Sequence, residues 1–155
     1  MSLRRIAEVA LHAVLPLGIG AALYLGGRSD QLLGYRWGRA LGIHDIVGAI
    51  RSWLRPLADL PEWICFSLPD ALWVYAFVWS MAKFAFAARG LERTLLLSVP
   101  VAMGVGAEFG QAIGVVPGTF DIVDLALCGL ATALGLVTAR PRELAGGRSG
   151  TPEPV

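Results

Sequence analysis

Apolar residues collect in four long runs along this chain, and polar residues either separate the runs or stand alone inside them. The runs over 6–25, 71–88, 95–116 and 122–139 are each close to the roughly 17–25 residues with which an α-helix crosses a hydrocarbon core. They predict an all-α fold, an integral membrane helical bundle of four transmembrane helices forming a single domain over 1–139. Arg4 and Arg5 precede the first run as they would a secretory leader. Glu8 and His12 interrupt that run, and no clear small-x-small cleavage pattern follows, so it is expected to remain as a helix.

The connection over 26–70 is patterned rather than a plain linker. Asp45 is expected to cap a short helix with Ile46, Val47, Ile50, Trp53 and Leu54 on one side and Arg51, Ser52 and Arg55 largely on the other. Trp37, Trp53 and Trp63 are amphipathic aromatics suited to the headgroup layer, which makes this an expected interfacial amphipathic helix. A helix covering the ends of the bundle would show the same pattern. Residues 140–155 are rich in Pro, Gly and Arg and are expected to form a disordered tail.

Composition strengthens the membrane reading: 55% of the 155 residues are apolar, 16% are charged and mean hydropathy is +0.62, too greasy for an ordinary soluble domain. A formal net charge of +1, with its Lys and Arg dispersed, leaves no basic field for nucleic acid. Cys65 and Cys128 have neither CxxC nor Cys/His spacing, so no metal or redox centre is predicted, and Cys128 is expected to pack as a small hydrophobe. No cofactor is predicted.

Arg4 and Arg5, then Lys83, Arg89 and Arg93, then Arg140, Arg142 and Arg148 flank alternate connections, which predicts a multi-pass protein of the cell membrane with both termini cytoplasmic. Arg28, Arg36, Arg39, Arg51 and Arg55 in the external connection run against this rule. In this topology Asp70, Glu108, Gln111, Asp121 and Asp124 converge on the outer leaflet. Glu108 and Gln111, three apart, share a helix face. Gly106, Gly110 and Gly114 form a doubled GxxxG that is expected to pack the third helix tightly on the fourth, where Cys128, Ala131 and Gly135 offer a small-residue face.

Helix capping explains Asp70 and Asp121 more simply than chemistry does, since Ser67-Leu-Pro-Asp70 and Asp121-Ile-Val-Asp124 both read as helix starts. Pro117-Gly118 reads as a tight turn. Glu108 lies far from either helix end, so a cap cannot account for it. A carboxyl at membrane depth marks a functional site, with Gln111 as its hydrogen-bonding companion or a ligand contact. Glu8 and His12, four apart, are a second possible pair near the inner face, or simply anchor a helix end.

Glu108-x-x-Gln111, then Pro117-Gly118-Thr119-Phe120-Asp121-Ile122-Val123-Asp124, then Gly135 resembles the C-terminal half of VanZ-like membrane proteins. That family typically shows Glu, Gln, an Arg-x-Phe-Asp-x-x-Asp segment and an Asn followed by spaced glycines. Here the Arg position holds Gly118, the Asn position Cys128 and the first following glycine Ala131; upstream, Asp70 alone matches an Asp-Lys-x-x-His segment. The resemblance implies a small multi-helix membrane protein, some of whose relatives are associated with glycopeptide-antibiotic resistance.

The residues suit binding of a polar or lipid-linked envelope ligand, such as a lipid-linked saccharide or peptidoglycan precursor, at an outward-facing acidic site of Glu108, Gln111, Asp124, Asp121 and Asp70. Membrane lipids are the expected surroundings. The alternative is a non-enzymatic structural or accessory subunit that assembles through its glycine-lined helices, as an oligomer or with another membrane protein. A proton-coupled carrier or membrane enzyme using Glu108 ranks lower, because no nucleophile stands beside a base and no catalytic residue is assigned.

Overall fold

The computed structural model describes residues 2–28, 38–116 and 120–140. The expected disordered tail beyond Arg140, Trp37 and the Pro117-Gly118 turn lie outside the described residues. All of the described secondary structure is helical, and besides the helical residues 38–40 and a 3-10 turn over Arg55–Asp59 it comprises α1 (Leu3–Gly27), α2 (His44–Leu54), α3 (Glu62–Phe66), α4 (Leu68–Ala85), α5 (Gly90–Ala112) and α6 (Ile122–Ala139). Four helical stretches are long and apolar enough to cross a membrane: α1, α3 running on into α4, α5 and α6.

Local chemistry sets the boundaries. Ser2 caps α1 by accepting from the Arg5 backbone N–H at 3.4 Å. Within α1 the turn over Ala10–Val14 is π-helical, with the Leu15 N–H bonded back to the Ala10 carbonyl. Pro16 follows at once; it has no N–H to donate and its ring crowds the preceding turn, so a widened turn ahead of it relieves the clash. The second and third spans begin earlier than their apolar runs, at Glu62 (with α4 itself from Leu68) and Gly90 rather than 71 and 95, and end earlier, at Ala85 and Ala112 rather than 88 and 116. Pro69 in the first turn of α4 is favourable at a helix start. At the end of α5 the chain reverses through Gly114, whose φ of +72° suits glycine, and both Val115 and Val116 donate to the Gly110 carbonyl, at 2.8 and 3.0 Å.

Helix α4 is the common packing partner. Its Ala71, Ala76, Val78, Trp79 and Ala82 are buried, and α1, α5 and α6 each press a glycine onto it. A Cβ at Gly20 would stand 2.5 Å from the Trp73 indole nitrogen, one at Gly104 2.8 Å from Val74, and one at Gly135 2.9 Å from Val78 and 3.2 Å from the Tyr75 carbonyl. On α6 the buried stripe is Cys128, Ala131, Gly135 and Ala139, so the small-residue face expected there exists and Cys128 packs as a small hydrophobe.

The tight hairpin of the third and fourth spans is not formed. Both α5 and α6 pack chiefly on α4 and little on each other. The doubled GxxxG is used otherwise: Gly106 faces open space, a Cβ at Gly110 would meet Val116 of its own chain reversal at 2.5 Å, and Gly114 makes the turn. Those glycines finish a helix; Gly104, outside the motif, makes the close approach.

Helix α2 forms within the residues expected, but Asp45 is not its cap. Ile43 occupies that position and Asp45 sits in the first turn, 3.0 Å from His44. Val47, Arg51 and Leu54 are half-buried toward the bundle, while Ile46, Ile50 and Trp53 remain exposed, Trp53 by 80%. Arg51 therefore lies away from Ile46, Ile50 and Trp53, as expected, but shares the inward side with Val47 and Leu54. The helix seats on the end of α1, where Gly26 makes room for the Leu54 carbonyl. Elsewhere the large side chains of α1, α5 and α6 point outward, among them Leu11, Val14, Leu95, Met103 and Leu130. So wide an apolar shell would be an aggregation hazard in water.

Candidate functional site

At one end of the bundle, three helices bring together the acids singled out in the sequence. Asp70 stands in the first turn of α4, Glu108 one turn before the end of α5, and Asp124 in the first turn of α6. The charged groups acting on Glu108 among the described residues are Asp124, Asp70 and Asp121, all acidic, and the Cys128 thiol lies among Asp70, Glu108 and Asp124.

These acids are satisfied to different degrees. Asp121 is a cap, as expected: its carboxylate accepts from the Val123 N–H at 2.8 Å, and its own N–H faces the Glu108 carboxylate. Asp70 is not. Ser67 precedes α4 in helical conformation without a side-chain cap, and the Asp70 carboxylate instead meets the Arg28 guanidinium at 3.2 Å. Arg28 also donates to the Phe66 carbonyl at 2.6 Å and stacks 4.9 Å over the Tyr24 ring. Arg51 in turn donates to the Arg28 carbonyl at 3.0 Å, which ties α2 to the end of α1. Glu108 and Asp124 have no such cation among the described residues. Glu108 is only 7% exposed and its Oε2 is buried without a hydrogen-bond partner, as is Oδ1 of Asp124.

Glu108, Gln111 and Asp70 line one end of a cavity of about 600 Å³ whose remaining walls are mostly apolar, including Trp73, Val74, Phe77 and Pro100. The cavity is a groove over α4, between Leu17 of α1 and Met103 of α5, and those two rim residues are 46% and 62% exposed. Asp121 does not line it; that residue borders a separate hollow with Glu62, Trp63 and Ser67. Among the described residues, no three Asp, Glu, His or Cys side chains are arranged to hold a metal ion.

The opposite end differs. Glu8 meets Lys83 at 3.3 Å and Arg4 at 3.4 Å, and Lys83 lies 5.2 Å over the Trp79 ring. His12, in the π turn, stacks on Trp79 and its Nδ1 is 2.6 Å from the Tyr75 hydroxyl, which is 3.3 Å from Thr138. Glu8 and His12 thus each reach across to α4.

Sequence reasoning missed Arg28 as the counter-ion of Asp70, and missed Tyr75, Trp79 and Thr138. For Arg28 a signal existed: a cation directly after the first apolar run, on the side where the charge rule wants few, calls for a local anionic partner. No protein-family model, curated protein or solved structure matches this chain.

Proposed function

We propose that the chain is a multi-pass protein of the cell membrane, both termini cytoplasmic, which binds a polar or lipid-linked envelope ligand at an outward-facing site built on Glu108, Asp124, Gln111 and Asp70. The observation that carries this reading is the pair of buried, unpartnered carboxylate oxygens on Glu108 and Asp124, the first on the wall of an open cavity. A buried acceptor without a donor costs about 1–3 kcal/mol, and more when it is charged, so a site that keeps two of them is complete only when something supplies donors. Structural acids need no such arrangement, and Asp70, supplied by Arg28 within the fold, is the counterexample in the same cluster. Asp121 serves this site through its backbone N–H and as the cap of α6. The exposed strip of Ile46, Ile50 and Trp53 supports α2 lying at the outer membrane surface beside it. The resemblance to VanZ-like proteins, drawn from Glu108, Gln111 and the residues that follow them, supplies no ligand.

The test is co-purification. The parent and Glu108→Gln, expressed in a native membrane and extracted in mild detergent, are compared by native mass spectrometry. A species retained by the parent and lost from Glu108→Gln, with melting unchanged, is the expected result. Identical adducts on both proteins would remove the site and leave an accessory subunit as the better reading.

A further inference from the structure

The groove does more than house the acids: its shape and charge describe the class of molecule that fits. Its polar end is Asp70, Glu108 and Gln111, and its floor runs along α4 past Trp73, Val74 and Phe77 to Ser80. From Asp70 to Ser80 is about 15 Å at the rise of an α-helix, so the lining extends along about three turns of α4. It opens between the exposed side chains of Leu17 and Met103, both within helices long and apolar enough to cross a membrane. A molecule with an apolar chain can therefore enter sideways, and the chain need never leave an apolar medium. Transfer of that chain from lipid to groove contributes little affinity, so selectivity falls to the head group.

At the polar end Asp70 is paired with the Arg28 guanidinium, which also donates to the Phe66 carbonyl and lies over the Tyr24 ring while its Nε–H has no partner; Glu108 has no cation against it among the described residues. Glu108 Oε2 is a buried acceptor without a donor, and the charged groups acting on it are the acids Asp124, Asp70 and Asp121; Asp124, whose Oδ1 also lacks a donor, does not itself line the groove. A phosphate head would be repelled there. A neutral polyol would satisfy the oxygens but leave the charge unbalanced. A primary ammonium offers three N–H donors and one positive charge, which answers both deficits.

We propose that this groove takes an amphiphile whose head is a protonated primary amine, seated against Glu108 beside Gln111 and Asp70, and whose apolar chain lies along α4 between α1 and α5. The proposal rests on the acidic site described under Proposed function and names its ligand class.

Purified full-length protein in a maltoside detergent is titrated with dodecylamine, dodecyltrimethylammonium, dodecyl phosphate, lysophosphatidylethanolamine and chain-free ethanolamine, with binding read by native mass spectrometry and by melting temperature. Dodecylamine should half-saturate at a concentration about tenfold or more below dodecyltrimethylammonium, which has the charge without N–H donors, and below dodecyl phosphate. Lysophosphatidylethanolamine binding as tightly as dodecylamine would assign the amine to a zwitterionic phospholipid; weaker binding would assign it to an amine lipid lacking phosphate. Glu108→Gln should weaken dodecylamine about tenfold, and so should Ala107→Phe, which fills the groove beside the acid; the series on the parent stands if either variant fails to fold. Equal binding of all heads, or ethanolamine as effective as dodecylamine, would overturn the proposal. If Glu108→Gln nevertheless loses its co-purified species, the acidic site survives with another ligand; if it keeps that species, the site itself is wrong.

Discussion

The two ends of the bundle hold similar numbers of ionisable side chains and treat them in opposite ways. At the Glu8 end, acids and bases alternate across helices: Arg4 with Glu8, Glu8 with Lys83, Lys83 over Trp79, and His12 with Tyr75. At the Glu108 end one acid has a base and two carry a buried, unpartnered oxygen. Paired polar groups in an apolar setting hold helices together, and at that end Glu8 is matched by Arg4 and Lys83, although the Trp79 indole N–H stays buried without a partner. The unpaired end gives up that stabilisation, and the open cavity against it is where the deficit can be made good. The difference separates residues that build the fold from residues that wait for something.

Substitutions can break or sharpen this contrast. The largest effect is expected from Gly135→Leu, which attacks the frame carrying both ends. Its side chain would run into Val78 and the Tyr75 backbone, so α6 must pull away from α4 at a cost of about 3 kcal/mol or more. Gly106→Leu, facing open space, should melt within about 0.5 kcal/mol of the parent. Should the two variants melt alike, α4 is not the shared partner. Next comes Tyr75→Phe, which removes the hydroxyl that joins His12 to Thr138. A loss of about 1–3 kcal/mol in thermal melting is expected, with ligand retention unchanged. Glu108→Gln should show the reverse: stability within about 1 kcal/mol of the parent, since it removes a buried charge that nothing in the fold pairs, together with loss of the co-purified species. If Tyr75→Phe costs retention rather than stability, the two ends do not divide the work as stated. The smallest effect belongs to Asp121→Asn, where the amide oxygen can still cap α6; a change of a few tenths of a kcal/mol is expected, and a loss approaching 2 kcal/mol would mean the negative charge itself matters.

What the sequence made legible follows how far each signal reaches along the chain. Four long helices could be read from apolar run lengths, because each helix bonds its own backbone. The cap at Asp121 could be read because its donor is two residues away. Asp70 offered a local pattern of the same kind and was misassigned, because its partner Arg28 lies 42 residues off. The glycines show the limit most clearly. GxxxG spacing states that a backbone can be approached, and says nothing about what approaches it, so Gly106, Gly110 and Gly114 pointed to the wrong helix while Gly104 and Gly135 carried the packing. Glu108 was legible as a site residue because nothing local accounts for it; the missing donor at its Oε2 is a property of three dimensions only.

The central place of α4 has a consequence for how the chain is made. With the membrane reading proposed above, α4 leaves the ribosome and enters the bilayer well before its main partner exists. Its Trp79 and Ala82 face waits for α6, and at ordinary synthesis rates the interval is on the order of several seconds. During that interval the contact of Gly104 with Val74 is available first, so α5 is a temporary companion on one flank while the other stands open to lipid or to a second unfinished chain. Biogenesis, more than the finished bundle, is therefore the stage at which this protein is exposed to mispairing and to membrane quality control.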